Sequence, residues 1–180
     1  MKLTEFTVRL LVLDNKDKVD KVLVTNRSGS NTYEHSSVDL ISNVDNKITM
    51  SCTECTLYQN ATVDTLVLYG GLNSKATIME DGVTVNTIHI EHLASVHIKA
   101  SHPNIHAIHI QSGGCLHTTS EFLKHMKDVV LNFEENAVLY VGDHRYEYRG
   151  YKDPHEFIDN ILNPKLRVIK DSIIKIFDKN

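Results

Sequence analysis

Histidine is the residue type whose number and spacing in this chain point most directly to chemistry. The sequence contains 11 histidines, and eight of them lie between His89 and His125. Imidazole titrates near neutral pH and is a frequent ligand of transition metals, so grouped histidines can hold a metal ion, bind an anion or transfer protons. The chemistry open to the chain therefore depends on which histidines the fold brings together.

Two pairs of histidines recur at one interval, since His89 and His109 are 20 residues apart, as are His97 and His117. In neighbouring strands the members of a pair would lie about 4.8 Å apart. Such pairs can hold a metal ion or a nucleotide phosphate, or can stack on a binding surface. A usual zinc site also needs close ligand pairs on a helix, and no predicted helix carries one. We therefore expect no metal and no cofactor, and predict that the four histidines bind a partner.

The three cysteines give a weaker signal. Cys52-Thr53-Glu54-Cys55 is a single C-x-x-C pair, without a second pair or the βαβ context of a redox enzyme. An odd number of cysteines argues against a disulfide framework and fits a reducing compartment. We expect Cys52 and Cys115 to be small buried side chains, and the protein to be cytoplasmic.

Two H-x-[S/T] tripeptides, His35-Ser36-Ser37 and His117-Thr118-Thr119, are separated by 82 residues. This arrangement resembles the 2H phosphoesterase family, whose two motifs place histidines on either side of a phosphodiester. The resemblance implies His35 and His117 as base and acid, with Ser37 and Thr119 completing the motifs. The middle position is polar here but usually apolar in the family, and the helices expected after the first strand are missing. A phosphodiesterase of this kind is one alternative function.

The histidine pairs belong to a longer repeat of about twenty residues. One series of strand-like segments comprises Asp64–Tyr69, Asn86–Glu91 and His106–Gln111, and a second comprises Ala76–Ile78, Val96–Ile98 and Leu116–Thr118. Two short strands per repeat at a fixed period indicate a parallel β-solenoid. An antiparallel β-sandwich, which also has short alternating strands, is the alternative. The residue-by-residue match of the repeats favours the solenoid.

Alternation within the repeats predicts which side chains form the core. Leu66, Ile88 and Ile108 should stack in one inward column, and Leu68, Ile90 and Ile110 in the next. The intervening positions then face outward, so the His89–His109 and His97–His117 pairs lie on the surface of the solenoid. The sequence thus predicts a mainly β protein with a histidine-rich face.

Other segments are suited to cover the ends of the solenoid. Residues 6–25 predict an N-terminal β-hairpin cap, and residues 121–126 predict a short insertion that is either helical or a loop. Residues 145–151 predict a strand carrying Tyr146, Tyr148 and Tyr151 on one face. Asp153 and Pro154 mark a helix start, and the apolar spacing over residues 165–177 predicts a second helix. We therefore divide the chain into a solenoid domain (1–143) and a C-terminal cap or oligomerisation segment (144–180).

Composition narrows the class of partner. Net charge is −4, aromatic residues make up 7% and tryptophan is absent, so nucleic acid is an unlikely ligand by charge and by stacking. No apolar run is long enough to span a membrane. Frequent Asn, Lys and Ile residues fit an AT-rich genome. A phage-encoded modulator of a host protein would suit the predicted solenoid architecture.

These observations favour a non-enzymatic scaffold that binds a protein or assembles with itself. The expected binding residues are the two histidine pairs and the tyrosines of residues 145–151, with a protein partner and a homo-oligomer as the expected assemblies. Self-association would use the tyrosine strand or the helix at 165–177. The 2H-type phosphodiesterase and a metal- or nucleotide-binding protein remain the alternatives.

Overall fold

The chain is a parallel β-solenoid of about five turns followed by short helices, seen in a computed structural model. The structure describes residues 21–164, except for 26–27, 35–36, 42–43, 52, 59 and 70–71. The first strand of the predicted N-terminal hairpin and the predicted helix at 165–177 therefore lie outside the described residues. Within the described part, no helix is long and apolar enough to cross a membrane.

Successive strands alternate between two sheets, so each coil contributes one strand to each. The eight-stranded sheet has the order β1-β3-β5-β7-β9-β11-β13-β14, and the six-stranded sheet has the order β12-β10-β8-β6-β4-β2. The strands are β1 (Lys21–Thr25), β2 (Ser28–Glu34), β3 (Ser37–Ile41), β4 (Val44–Ser51), β5 (Glu54–Tyr58), β6 (Thr62–Tyr69), β7 (Lys75–Ile78), β8 (Thr84–Ile90), β9 (Ser95–Ile98), β10 (Asn104–Ile110), β11 (Cys115–Thr118), β12 (Val130–Phe133), β13 (Val138–Val141) and β14 (His144–Glu147). All neighbouring strands pair in parallel except β13 and β14, which confirms the solenoid over the sandwich.

The core consists of the inward columns that the repeat predicted. Leu66 pairs with Ile88, and Ile88 pairs with Ile108, and all three side chains are fully buried. Each isobutyl or sec-butyl side chain covers the apolar face of the coil beside it, which a single coil could not bury alone. Hydrophobic stacking along the solenoid axis therefore sets the strand register and, through it, the outward columns.

The first described coils depart from this apolar pattern. Asn31 occupies the inward position that pairs with Ile48, and the buried Asp45 lies on the inner side of β4. The Asn31 amide donates a hydrogen bond to the Asp45 carboxylate. Burying polar groups is costly unless they are hydrogen-bonded. This hydrogen bond therefore offsets the cost of placing the two polar side chains in the interior.

Turns at one corner of the coils stack through their backbones. The Leu93 amide bonds to the Gly113 carbonyl, and the Gly113 amide bonds to the Asn136 carbonyl, both at 3.2 Å. All three residues have positive φ, at 63°, 77° and 68°. Glycine and asparagine tolerate this left-handed conformation, whereas leucine adopts it at an energetic cost.

The C-terminal end of the solenoid is closed by β14 and by helices. β14 pairs antiparallel with β13. Helix α1 (Ser120–His125) leads into a short 3-10 helix (Met126–Asp128), and α2 (Pro154–Leu162) packs beneath them with Phe157 and Ile158 buried. The Asp153 carboxylate accepts a hydrogen bond from the His155 amide at 2.9 Å. The helical alternative for residues 121–126 and the predicted helix after Asp153 are thus confirmed.

The predicted strand over residues 145–151 is wrong in its extent, since β14 ends at Glu147. Gly150 takes a positive φ of 73°, which turns the chain toward α2. Tyr148 is 4% exposed and contacts Phe133 and Phe157. Tyr148 therefore faces the inside of the cap, where its ring packs between the last coil and α2.

Candidate functional site

The six-stranded sheet carries one outward column that crosses its strands toward their C-terminal ends. In register along the solenoid axis this column contains Thr49, Val67, His89, His109 and Asn132. Hydrophobic packing of the flanking inward residues, such as Ile88 and Ile108, holds these positions outward. The predicted pairing of His89 with His109 is confirmed.

The His89 and His109 rings stack on each other. Their centroids are 4.7 Å apart and their planes differ by 11°, and both residues are half-buried. Burial, followed by the proximity of His109, lowers the pKa of His89, with Lys47 acting in the same direction and Glu91 opposing them. His89 is therefore a neutral imidazole at physiological pH, and it attracts no anion by charge.

Two flanking columns make this part of the sheet a groove. One wall contains Lys47 and Thr65, and the opposite wall contains Glu91, Gln111 and Glu134. We call this cavity the histidine groove; it has a volume of about 430 Å³ and runs from β4 to β12. Four steps of about 4.8 Å between strands give it a length of about 19 Å.

The second histidine pair lies on the eight-stranded sheet, on the other face of the solenoid. His97 pairs with His117 in register, as predicted, and His117 pairs with Tyr140. The three rings form a continuous stack, with centroids 3.9 Å apart between the histidines and 4.3 Å apart between His117 and Tyr140. Burial is the main cause that lowers the pKa of His97 to about 4, and it also lowers the pKa of His117. His97 and His117 are therefore neutral near pH 7.

Both stacks present ring edges to solvent. The stacking direction follows the solenoid axis, because each ring lies over the ring of the next coil. Ring faces are thus covered by neighbouring side chains, while the edges carry a nitrogen donor and a nitrogen acceptor. Such edges form hydrogen bonds with a polar ligand but offer no platform on which a base or sugar can stack.

The alternative phosphodiesterase residues are not assembled into one site. His35 lies outside the described residues. Ser37 is on β3 and His117 is on β11, four strands apart in the eight-stranded sheet, which is about 19 Å. The Thr119 hydroxyl accepts a hydrogen bond from the Phe122 amide at 3.1 Å and caps α1. Ser37 and Thr119 are therefore too far apart to contact one phosphodiester.

The three predicted tyrosines lie at the C-terminal cap, away from both histidine stacks. Tyr148 is buried, and Tyr146 and Tyr151 are half-buried. Tyr146 and Tyr151 line a separate groove of about 420 Å³ between β14 and α2. Their main contacts are with the cap, and a role in binding stays a prediction.

The cysteines and the remaining histidines give no metal site in the described part of the chain. Cys55 is fully buried, which raises its pKa well above the ordinary value, Cys115 is half-buried, and both thiols are free; Cys52 lies outside the described residues. His102 and His125 meet edge to face at 4.2 Å. Nowhere among the described residues do three His, Cys, Asp or Glu side chains converge as metal ligands would.

The acidic wall of the histidine groove was missed by the sequence interpretation. Glu91, Gln111 and Glu134 continue the strand ladders, since each amide bonds to a carbonyl of the previous coil. The first two are 20 residues apart and end aligned segments of the repeat, but they were not identified as site residues from the sequence. Glu134 is displaced because α1 and the 3-10 helix are inserted before β12.

Comparison with protein-family models, with curated proteins and with solved structures finds no match to this chain.

Proposed function

We propose that this protein is a non-enzymatic scaffold that binds another protein through the histidine groove. The observation that carries the proposal is the groove itself: a half-buried pair of stacked imidazoles between two polar walls. Its floor is part of a continuous sheet and needs no rearrangement to present hydrogen-bonding edges. A preorganised surface of this kind loses little conformational entropy when a partner binds.

The chemistry of the groove favours recognition over catalysis. Among the described residues, no nucleophile or carboxylate forms a hydrogen bond with the His89 ring, which stacks on the nearly parallel ring of His109. A general base in a hydrolase is instead held by a hydrogen bond to its nucleophile and to an orienting group. Half-buried imidazoles suit a protein interface, where their edges meet backbone and side-chain polar groups.

Association of copies end to end is disfavoured at the C-terminal end. β14 has only four residues, and its outward-facing Arg145 and Glu147 form an ion pair at 3.0 Å. Short, charged edge strands resist pairing with a further chain. A homo-oligomer, if formed, is expected to use a sheet face, and light-scattering mass against concentration tests this.

The free thiols of Cys55 and Cys115 support a reducing, cytoplasmic location.

A pair of double variants tests the proposal. His89→Thr with His109→Thr alters the groove, while His97→Thr with His117→Thr makes the same change on the other face. Threonine already occupies both columns, at Thr49 and at Thr77, so both variants should fold.

A photocrosslinking residue at Val67, on the groove floor, should label a discrete protein in the cells from which the chain comes. The first double variant should abolish this labelling and the second should leave it intact. Absence of labelling from Val67, or equal loss in both variants, contradicts the proposal.

A further inference from the structure

We infer that the histidine groove receives an extended, basic peptide segment of the partner protein; this inference rests on the proposed function. The outward charges of the six-stranded sheet indicate the chemistry. Glu34, Asp64, Glu91 and Glu134 face out from this sheet or its strand ends, and among its described residues Lys47 is the outward cation. The sheet is therefore acidic, and a partner segment that carries Lys or Arg matches it.

The acidic residues are concentrated on one wall of the groove. Glu34, Tyr69, Glu91 and Glu134 belong to a single column that follows the solenoid axis. Glu134 accepts a hydrogen bond from the Ser112 amide at 3.1 Å, and Glu34 accepts one from the Tyr69 hydroxyl at 3.5 Å. Of these carboxylates, Glu91 and Glu134 line the groove, with the neutral Gln111 between them, so this wall carries two negative charges.

The other face of the solenoid shows that this charge is local. On the eight-stranded sheet and its strand ends, the carboxylates of Asp39, Glu54, Asp143 and Glu147 are accompanied by three cations, Lys75, Lys99 and Arg145, whereas the six-stranded sheet has Lys47 among its described residues. Net negative charge of the chain therefore does not explain the acidic wall. A basic ligand should distinguish the two faces, although both carry a stacked histidine pair.

The dimensions of the groove fit an extended peptide. Its length of about 19 Å corresponds to about six residues of extended chain. Glu91 and Glu134 are two strands apart, or about 9.6 Å, a spacing that long lysine or arginine side chains two to four residues apart can span. Such a peptide crosses the strands instead of adding to a sheet edge, so its backbone would bond to the edges of His89 and His109.

The test uses two fluorescein-labelled peptides of seven residues in fluorescence anisotropy. One alternates lysine with threonine and the other alternates glutamate with threonine. We expect the lysine peptide to bind and the glutamate peptide not to bind. Glu91→Gln with Glu134→Gln should weaken binding of the lysine peptide about tenfold, the effect of losing two solvent-exposed charge pairs. Glu54→Gln with Asp143→Asn makes the same charge change elsewhere and should leave the affinity unchanged.

The outcomes separate this inference from the proposed function. If Val67 crosslinks to a protein but the lysine peptide fails to bind, or binds equally to both charge variants, the basic-peptide inference is overturned and the scaffold proposal survives. If an RNA oligonucleotide or a neutral oligosaccharide binds the groove in place of the peptide, the inference is also overturned. Loss of both crosslinking and peptide binding overturns both proposals.

Discussion

Acid should destabilise this protein through the histidine stack of the eight-stranded sheet. The pKa of His97 is lowered to about 4 in the folded chain, whereas an unfolded histidine titrates near pKa 6.5. Between these two values the unfolded chain binds a proton that the folded chain rejects. The contribution of His97 to the free energy of unfolding is therefore fully present above pH 6.5 and is lost progressively as pH falls toward 4. His89 and His117, whose pKa values are also lowered, act in the same direction.

The pKa shift of His97 sets the size of the stability loss in acid. The two pKa values of His97 differ by about 2.5, which at about 1.4 kcal/mol per pKa unit sets an upper limit of about 3.5 kcal/mol. His97 is only half-buried, so solvent screens part of the interaction. We expect about 1 to 2 kcal/mol between pH 7 and pH 4.5, a large fraction of the stability of a typical domain.

Urea unfolding at pH 7 and pH 4.5 measures this effect against a matched variant. His97→Thr continues the column of Thr56 and Thr77 and removes the titrating group, so the variant should lose about 1 to 2 kcal/mol less than the wild type on acidification. Carboxylates contribute equally to both proteins and cancel in the comparison. His106→Thr, at an exposed position, should behave as the wild type. Equal pH dependence of the His97 variant and the wild type would refute the reasoning.

Two further predictions concern stability and are measured by urea unfolding at pH 7. Leu93→Asn should raise the free energy of unfolding by about 1 kcal/mol, because it relieves a left-handed leucine at a 42% exposed position; a decrease would show that the Leu93 side chain has a stabilising contact. Ile88→Ala should lower the free energy of unfolding by about 2 to 5 kcal/mol, since it opens a cavity in the column between Leu66 and Ile108. The outward control Thr87→Ala should change stability by less than about 0.5 kcal/mol, and equal losses at both positions would contradict the assigned core.

The repeat predicted those parts of the fold that depend on apolar stacking. The columns through Ile88 and Ile90, and the outward pairing of His89 with His109, follow from the same strand register. A one-residue shift would have placed the isoleucines in solvent, so the hydrophobic pattern is enough to orient the histidines. The sequence therefore predicted where the two histidines of the candidate site lie, but it did not predict the groove around them.

Features that depend on backbone geometry or on long-range packing could not be predicted. The repeat spacing carries no signal for the positive φ of Leu93, since leucine rarely adopts it. Tyr148 alternates like a surface strand residue, yet it packs on Phe157 because α2 folds back over the last coil. The acidic wall was missed because its column mixes Tyr69, Glu91 and Gln111, which have no residue type in common.

The acidic wall is a functional lead because the fold does not require it. Outward positions of a solenoid are constrained only by their neighbours in the column, and the middle column of the six-stranded sheet accepts Thr49, Val67, His89 and Asn132 alike. The carboxylates of Glu91 and Glu134, with Gln111 between them, contribute nothing to the core. On the eight-stranded sheet the same architecture carries mixed charges, with Glu54 beside Lys75. A partner whose cations neutralise Glu91 and Glu134 would explain why carboxylates occupy these outward positions.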